Sequence, residues 1–195
     1  MSVRASRAPA ARAVDLAAIA VFSAVTIALG AVFLPLPFSP VPVTGQTLGV
    51  VLAANVLGPK RAVASVSLVL LIAAAGMPVL AGGRGGMGVL FGSSGGYFLG
   101  WIAVALVLGY ATSRLGPGRS ALIVRILLNC TLGVFLVYLF GVPWLAIVSE
   151  RPLWEMAVAG MLPYLPGDLF KAVLAAMAAQ AVLVSYRRPW VTQGR

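Results

Sequence analysis

Near the C-terminus an aspartate and a lysine, Asp168 and Lys171, interrupt an otherwise apolar stretch, LPGDLFKAVLA. Three residues apart on a helix, the two side chains share one face. Charge at membrane depth is costly and is the first place to look for function. The pair suits recognition of a polar ligand: the carboxylate accepts a ligand N–H and the ammonium neutralises an anion. It binds rather than catalyses, because no activated nucleophile or third member accompanies it. A purely local reading also exists, in which Asp168 complements a helix N-terminus while Lys171 pairs with it and snorkels outward.

A second feature is the segment VLAGGRGGMGVLFGSSGG at 79–96; nine of the 22 glycines fall between Gly82 and Gly100. Irregular backbone at membrane depth is tolerated only where it is buried in protein or lines a cavity. A loop folded back over the helix of Asp168 meets that condition; a plain external loop would leave Met87, Val89, Leu90 and Phe91 in water. GRGGMG lacks the Lys-Ser/Thr of a phosphate-binding loop and the strand that precedes a dinucleotide site, so the chain carries no ATPase of its own. Cys130 is the single cysteine and there is no histidine, which argues against a disulfide and against a metal centre. Gln46 and Asn129 are uncharged polar groups in apolar runs, each able to bond a ligand or a neighbouring helix, the latter being favoured for Asn129.

These residues must be positioned by membrane-spanning helices. The chain is 61% hydrophobic and 9% charged, with mean hydropathy +1.04, far from the roughly 25% charged composition of soluble domains. The apolar runs predict crossings at 15–34, 44–57, 62–75, 97–113, 120–140 and 168–186. Between them lie a proline-rich turn at 35–43, a break at Gly76-Met77-Pro78, a connection opened by Gly141-Val142-Pro143-Trp144, a short helix at 153–162, and a break at 163–167. The run at 16–34 exceeds the roughly 7–15 residues of a signal-peptide core and reads as a retained helix.

Charge tests that partition. Arg4, Arg7, Arg12, Lys60, Arg61, Arg114, Arg119, Arg187, Arg188 and Arg195 fall on one side of the six crossings; Arg84 and Arg151 fall on the other. The bias places both termini in the cytoplasm. The net charge of +10 therefore records topology, not a nucleic-acid-binding face. The expected architecture is an all-α membrane protein: one domain over 1–195, a single bundle of six transmembrane helices, with cytoplasmic tails at 1–13 and 187–195. On the first helix Ala20, Ala24 and Ala28, bordered by Ala17 and Ala31, form a stripe of small residues that permits close helix approach, either inside the bundle or to a partner.

Taken together, PVPVTGQTLGV at 40–50, NVLGPKRA at 55–62, the glycine-rich segment at 76–100 and LPGDLFKAVLA at 165–175 resemble the BioY family, the biotin-specific substrate-binding components of energy-coupling factor transporters, over most of 13–186. The resemblance implies a non-enzymatic subunit that takes biotin from the external side of the plasma membrane with high affinity. It further implies partnership with a transmembrane coupling protein and two cytoplasmic ATPases, no cofactor, and the alanine stripe as docking surface. It carries ligand contact to Asp168 and Lys171, and to the glycine-rich loop with Arg84, Gly85 and Gly86. The ureido N–H groups of biotin then suit the carboxylate, its valerate suits Lys171, and its apolar body suits Phe91, Tyr97 and Trp101, with Gln46 as a further polar contact. Where family members often place an Asn in the loop, this chain has Met87, with Arg84 and Ser93 as the nearest polar groups. The other readings are a carrier or facilitator for thiamine or riboflavin, and a small intramembrane enzyme using Asp168 as a lone acid.

Overall fold

The computed structural model describes residues 7–37 and 39–185. Arg4, Arg187, Arg188 and Arg195, much of both expected tails, and Phe38 of the proline-rich segment lie outside the described residues.

Helix α1 (Arg7–Ala28) ends in a single 3-10 turn, and the chain then forms a hairpin of β1 (Phe33–Leu36) and β2 (Ser39–Thr44). Next come α2 (Gln46–Leu57), α3 (Pro59–Ala74), the short α4 (Met87–Leu90) and α5 (Gly95–Thr112). Helix α6 (Arg119–Leu128) passes through a π turn at Asn129–Gly133 into α7 (Val134–Ser149), followed by α8 (Leu153–Gly160) and α9 (Leu165–Ser185). Four stretches are long and apolar enough to cross a bilayer: Arg12–Ala31, Gly95–Thr112, Arg119–Ser149 and Leu165–Ser185. With α2 and α3 they make a helical membrane bundle of six rods. At 12 residues, α2 is shorter than the roughly 20 needed to span hydrocarbon. It is instead the centre of the fold: nine of its residues are buried, and it packs on α1, α3, α5 and α9, as expected of a helix apolar on every face.

Three boundaries differ from the sequence expectation, each for a physical reason. The first helix stops at Ala28 rather than at 34, because the residues after the 3-10 turn pair as strands, Phe33 with Thr44, Leu34 with Val43 and Leu36 with Ser39. In a two-stranded ribbon every strand is an edge, the place where proline is tolerated, and the register shifts at Pro35. The segment at 35–43 is thus part of a hairpin rather than a simple turn.

The fifth crossing does not end at 140 but continues as a 31-residue helical rod with Pro143 inside α7. Glycines let α5 lie against it. A Cβ on Gly96 would stand 2.3 Å from the Phe140 carbonyl oxygen, and one on Gly100 2.7 Å from the Val137 Cα. Trp144 Nε1 also donates to the Gly92 carbonyl at 2.9 Å. Packing of this kind carries a membrane helix through a proline. Finally, Pro166 and Gly167 form the first turn of α9 instead of preceding it, since proline is suited to a helix start.

Helix α1 is tied to α3 by Ser23, whose hydroxyl bonds the Ser65 carbonyl at 3.0 Å. Its other face, with Ala20, Ala24 and Ala28, is exposed, so these alanines do not pack within the bundle. At the end opposite the hairpin Arg61 and Asp15 form an ion pair, Nε to Oδ1 2.8 Å.

Candidate functional site

The first turns of α9, the hairpin, the start of α2, the glycine-rich loop and the first turns of α5 and α7 converge on one cleft. It encloses about 580 Å³ of empty space, its mouth included. Gln46 opens α2 and clamps the loop onto it: its amide nitrogen donates to the Val79 carbonyl at 3.0 Å and its amide oxygen accepts the Ala81 N–H at 3.1 Å. Between those anchors and Arg84 the backbone turns through Gly82 and Gly83 at φ of +73° and +70°, which only glycine adopts without strain. The turn closes with the Leu80 N–H on the Arg84 carbonyl at 2.9 Å, while Arg84 Nε donates to the Ala81 carbonyl at 3.0 Å. The Arg84 side chain thus hangs over the cleft from its loop.

On the opposite wall Lys171 Nζ stands 2.5 Å from Asp168 Oδ1, with the two side chains 15% and 11% exposed. Lys171 also donates to the Thr44 carbonyl at 2.9 Å, and the Tyr138 hydroxyl donates to Asp168 Oδ2. Tyr164 donates to the Val41 carbonyl, so α9 and the turn before it are stitched to β2 at two points. Burial pushes the Tyr164 phenol up; the Ser39 hydroxyl pulls it the other way and the Asp168 carboxylate adds to the rise, which keeps it a donor. Tyr97 donates to the Gly160 carbonyl at 2.8 Å and meets Tyr138 edge to face, centroids 6.2 Å apart. Phe98 and Trp101 form a second edge-to-face pair at 5.0 Å.

The cleft therefore brings together Gln46, Arg84, Tyr97, Trp101, Asp168 and Lys171. Three other sequence candidates are placed elsewhere. Gly85 packs on the backbone at the end of α3, where a Cβ would lie 2.1 Å from the Met77 oxygen. Gly86 donates its N–H to the Ala73 carbonyl at 2.7 Å, and Phe91 points outward, 63% exposed. Met87 is also exposed, and of the loop's serines it is Ser94 that lines the cleft. Sequence reading passed over Thr44, Thr47, Ser94, Tyr138 and Tyr164. The one available signal was for the tyrosines: a buried phenol needs a hydrogen-bond partner. Among the described residues no three His, Cys, Asp or Glu side chains gather as a metal would require.

Chemically, the ion pair offers an acceptor and a donor side by side. A carboxylate has about four lone-pair sites and an ammonium three protons. Two of the former and two of the latter are used within the protein, leaving both groups able to face a ligand that presents N–H and C=O next to each other.

A helical membrane bundle with a cleft of aromatic walls and a part-buried ion pair fits a membrane-embedded binding protein for a small polar molecule. The sequence profile of the BioY family matches residues 2–188, and the chain belongs to that family. It is 42% identical over 179 residues to the biotin transporter BioY of Rhizobium etli, covering 88% of this chain and 94% of that one. It is 39% identical over 170 residues to a probable biotin transporter BioY of Bacillus subtilis, covering 85% and 88% respectively. Its fold matches the 2.1 Å crystal structure of the S-component for biotin from an ECF-type ABC transporter with a TM-score of 0.72 and 30% identity, over 88% of this chain and 91% of that one.

Proposed function

We propose that this chain is the biotin-capturing subunit of an energy-coupling factor uptake system in the plasma membrane. It binds biotin from the external side and works with a transmembrane coupling protein and two cytoplasmic ATPases. The names of its relatives support biotin as ligand; the contact between Asp168 and Lys171 inside the cleft carries the reading to residues. Because the two groups touch, they meet the same end of the ligand. A cyclic urea presents N–H and C=O on adjacent atoms, so Asp168 accepts the ureido N–H while Lys171 donates to the ureido oxygen. The valerate carboxylate, at the other end of the molecule, is then left to Arg84 on the loop. This moves the valerate from Lys171, where sequence alone placed it. Tyr97, Phe98 and Trp101 supply the apolar wall for the ring and chain.

The deciding experiment is calorimetric titration of the purified, detergent-solubilised chain with biotin, with thiamine and riboflavin as controls. Saturable one-to-one heat with biotin alone is expected. Equal heat with another vitamin would reassign the ligand, and no heat from a folded, ligand-free sample would leave only the membrane fold.

A further inference from the structure

We propose that Tyr138 sets the specificity of the polar end of the site by fixing the plane of the Asp168 carboxylate. This rests on reading the ion pair as the ureido contact. The torsion that turns a carboxylate about its own axis is broad, so an aspartate held by one partner presents its lone pairs in many directions. Here both oxygens are held: Lys171 contacts Oδ1 and the Tyr138 hydroxyl donates to Oδ2. The two partners come from different helices, α9 and α7, so the carboxylate is fastened across the bundle and not only along its own helix.

Tyr138 is itself immobilised. It is 6% exposed, and its ring stands at 87° to Tyr97, whose own hydroxyl is anchored on the Gly160 carbonyl. Asp168 takes no other side-chain hydrogen bond in the described structure than these partners provide. A carboxylate with a fixed plane rewards a ligand N–H lying in that plane and repels a lone pair placed there. Discrimination of this type arises as a difference between two affinities. Tyr138 is therefore a positioning residue, acting through Asp168, for the choice between a ligand with a free N–H and one without.

The test uses the full chain in lipid nanodiscs, titrated with biotin and with a biotin analogue methylated on one ureido nitrogen. Four proteins are compared: wild type, Tyr138→Phe, Asp168→Asn and the double variant. Tyr138→Phe is expected to weaken biotin roughly tenfold, the size typical of a lost hydrogen bond to a charged group, and to compress the ratio of biotin to N-methyl analogue. In the Asp168→Asn background the same change is expected to cost less than about twofold, because the residue it acts through is already altered.

Equal losses in both backgrounds, an unchanged ratio, or unchanged biotin affinity in Tyr138→Phe each overturn the proposal. If Asp168→Asn binds too weakly to measure, the ratio in Tyr138→Phe decides alone. Should phenylalanine destabilise the fold, 3-fluorotyrosine at position 138 keeps the hydroxyl. Its fluorine resonance is expected to move on Asp168→Asn and on biotin binding, and indifference to both overturns the proposal. A wild-type chain that takes up no biotin sinks the functional reading itself, and does so before any Tyr138 variant is made.

Discussion

Asp168 and Lys171 are taken out of water together, and each compensates the other's loss of hydration. Removing one partner of a buried pair leaves an uncompensated charge, the costly half of the exchange. Asp168→Asn and Lys171→Ala are each expected to weaken biotin binding by roughly ten- to a hundredfold, the equivalent of one charge-assisted hydrogen bond, measured by titration. Lys171→Ala also releases the Thr44 carbonyl, so its melting temperature falls as well. Nanomolar binding retained in both variants would remove the pair from the site. Arg84 separates the two ends of the ligand: Arg84→Ala is expected to reduce affinity for biotin while leaving affinity for biotin amide, whose tail is neutral, within about twofold. An equal loss for both ligands would place Arg84 at the ring instead. The pair was readable in the sequence because charge inside an apolar run is rare. Tyr138 was not, because a tyrosine in a membrane helix is ordinary and its partner lies 30 residues away. Arg125, a charge inside the apolar run at 120–140, meets the same criterion as the pair and was nonetheless passed over. It is fully buried, yet its guanidinium reaches Gln180 at 2.9 Å and the Leu115 carbonyl at 3.2 Å, groups that only the folded bundle brings near it.

Among the elements, the glycine-rich loop and the seam between α5 and α7 shape the cleft in different ways. At its N-terminal side the loop is fastened by Gln46, through the Val79 and Ala81 peptides. Gln46→Ala is expected to raise amide exchange across 79–86 and to weaken biotin mainly through faster dissociation; exchange unchanged from wild type would show that the loop holds itself. The seam depends on bare glycine faces. Gly96→Ala forces a methyl to 2.3 Å from both the Phe140 oxygen and the Trp144 Cβ. Since backbone cannot retreat as a side chain can, a loss of about 1–3 kcal/mol in stability is expected, read as a lower melting temperature. The helical rods were visible from apolar run length, and α2, α3, α5 and α9 begin within three residues of expectation. The hairpin, the passage through Pro143 and the π turn at Asn129–Gly133 were not. Prolines remove donors whether a segment is a loop or an edge ribbon, and a π turn has no sequence period to betray it. That turn bears directly on the site, as π turns inside helices often do. Asn129 within it donates to the Ala172 carbonyl on α9 at 3.0 Å and accepts from Asn55 on α2 at 2.9 Å, locking α7 in the rotation that delivers Tyr138 to Asp168.

For the molecule as a whole, the ends of the bundle differ in what they offer. The cleft opens beside the hairpin and the glycine-rich loop, the side that holds few cations, whereas Lys60, Arg61, Arg114 and Arg119 mark the other, which the positive-inside rule assigns to the cytoplasm. On the proposed reading, binding and energising stand at opposite faces, and the sequence carries no nucleotide loop with which to join them. The proposed docking surface for a partner within the bilayer is the outer side of α1, where Ala20, Ala24 and Ala28 stand exposed while Ser23 and Thr26 on the inner side are buried. Lipid gives two helices no hydrophobic reason to associate, so close approach across small residues is what holds them. A large side chain there would spoil that approach yet sit comfortably in hydrocarbon. Ala24→Trp is accordingly expected to leave biotin titration of the isolated chain unchanged and to abolish ATP-dependent biotin uptake in cells expressing the coupling protein and both ATPases. Uptake at the wild-type rate would clear α1 of any role in docking. Loss of binding in the isolated chain would mean instead that this face supports the fold, and sustained uptake after ATP depletion would remove the ATPases from the reading altogether.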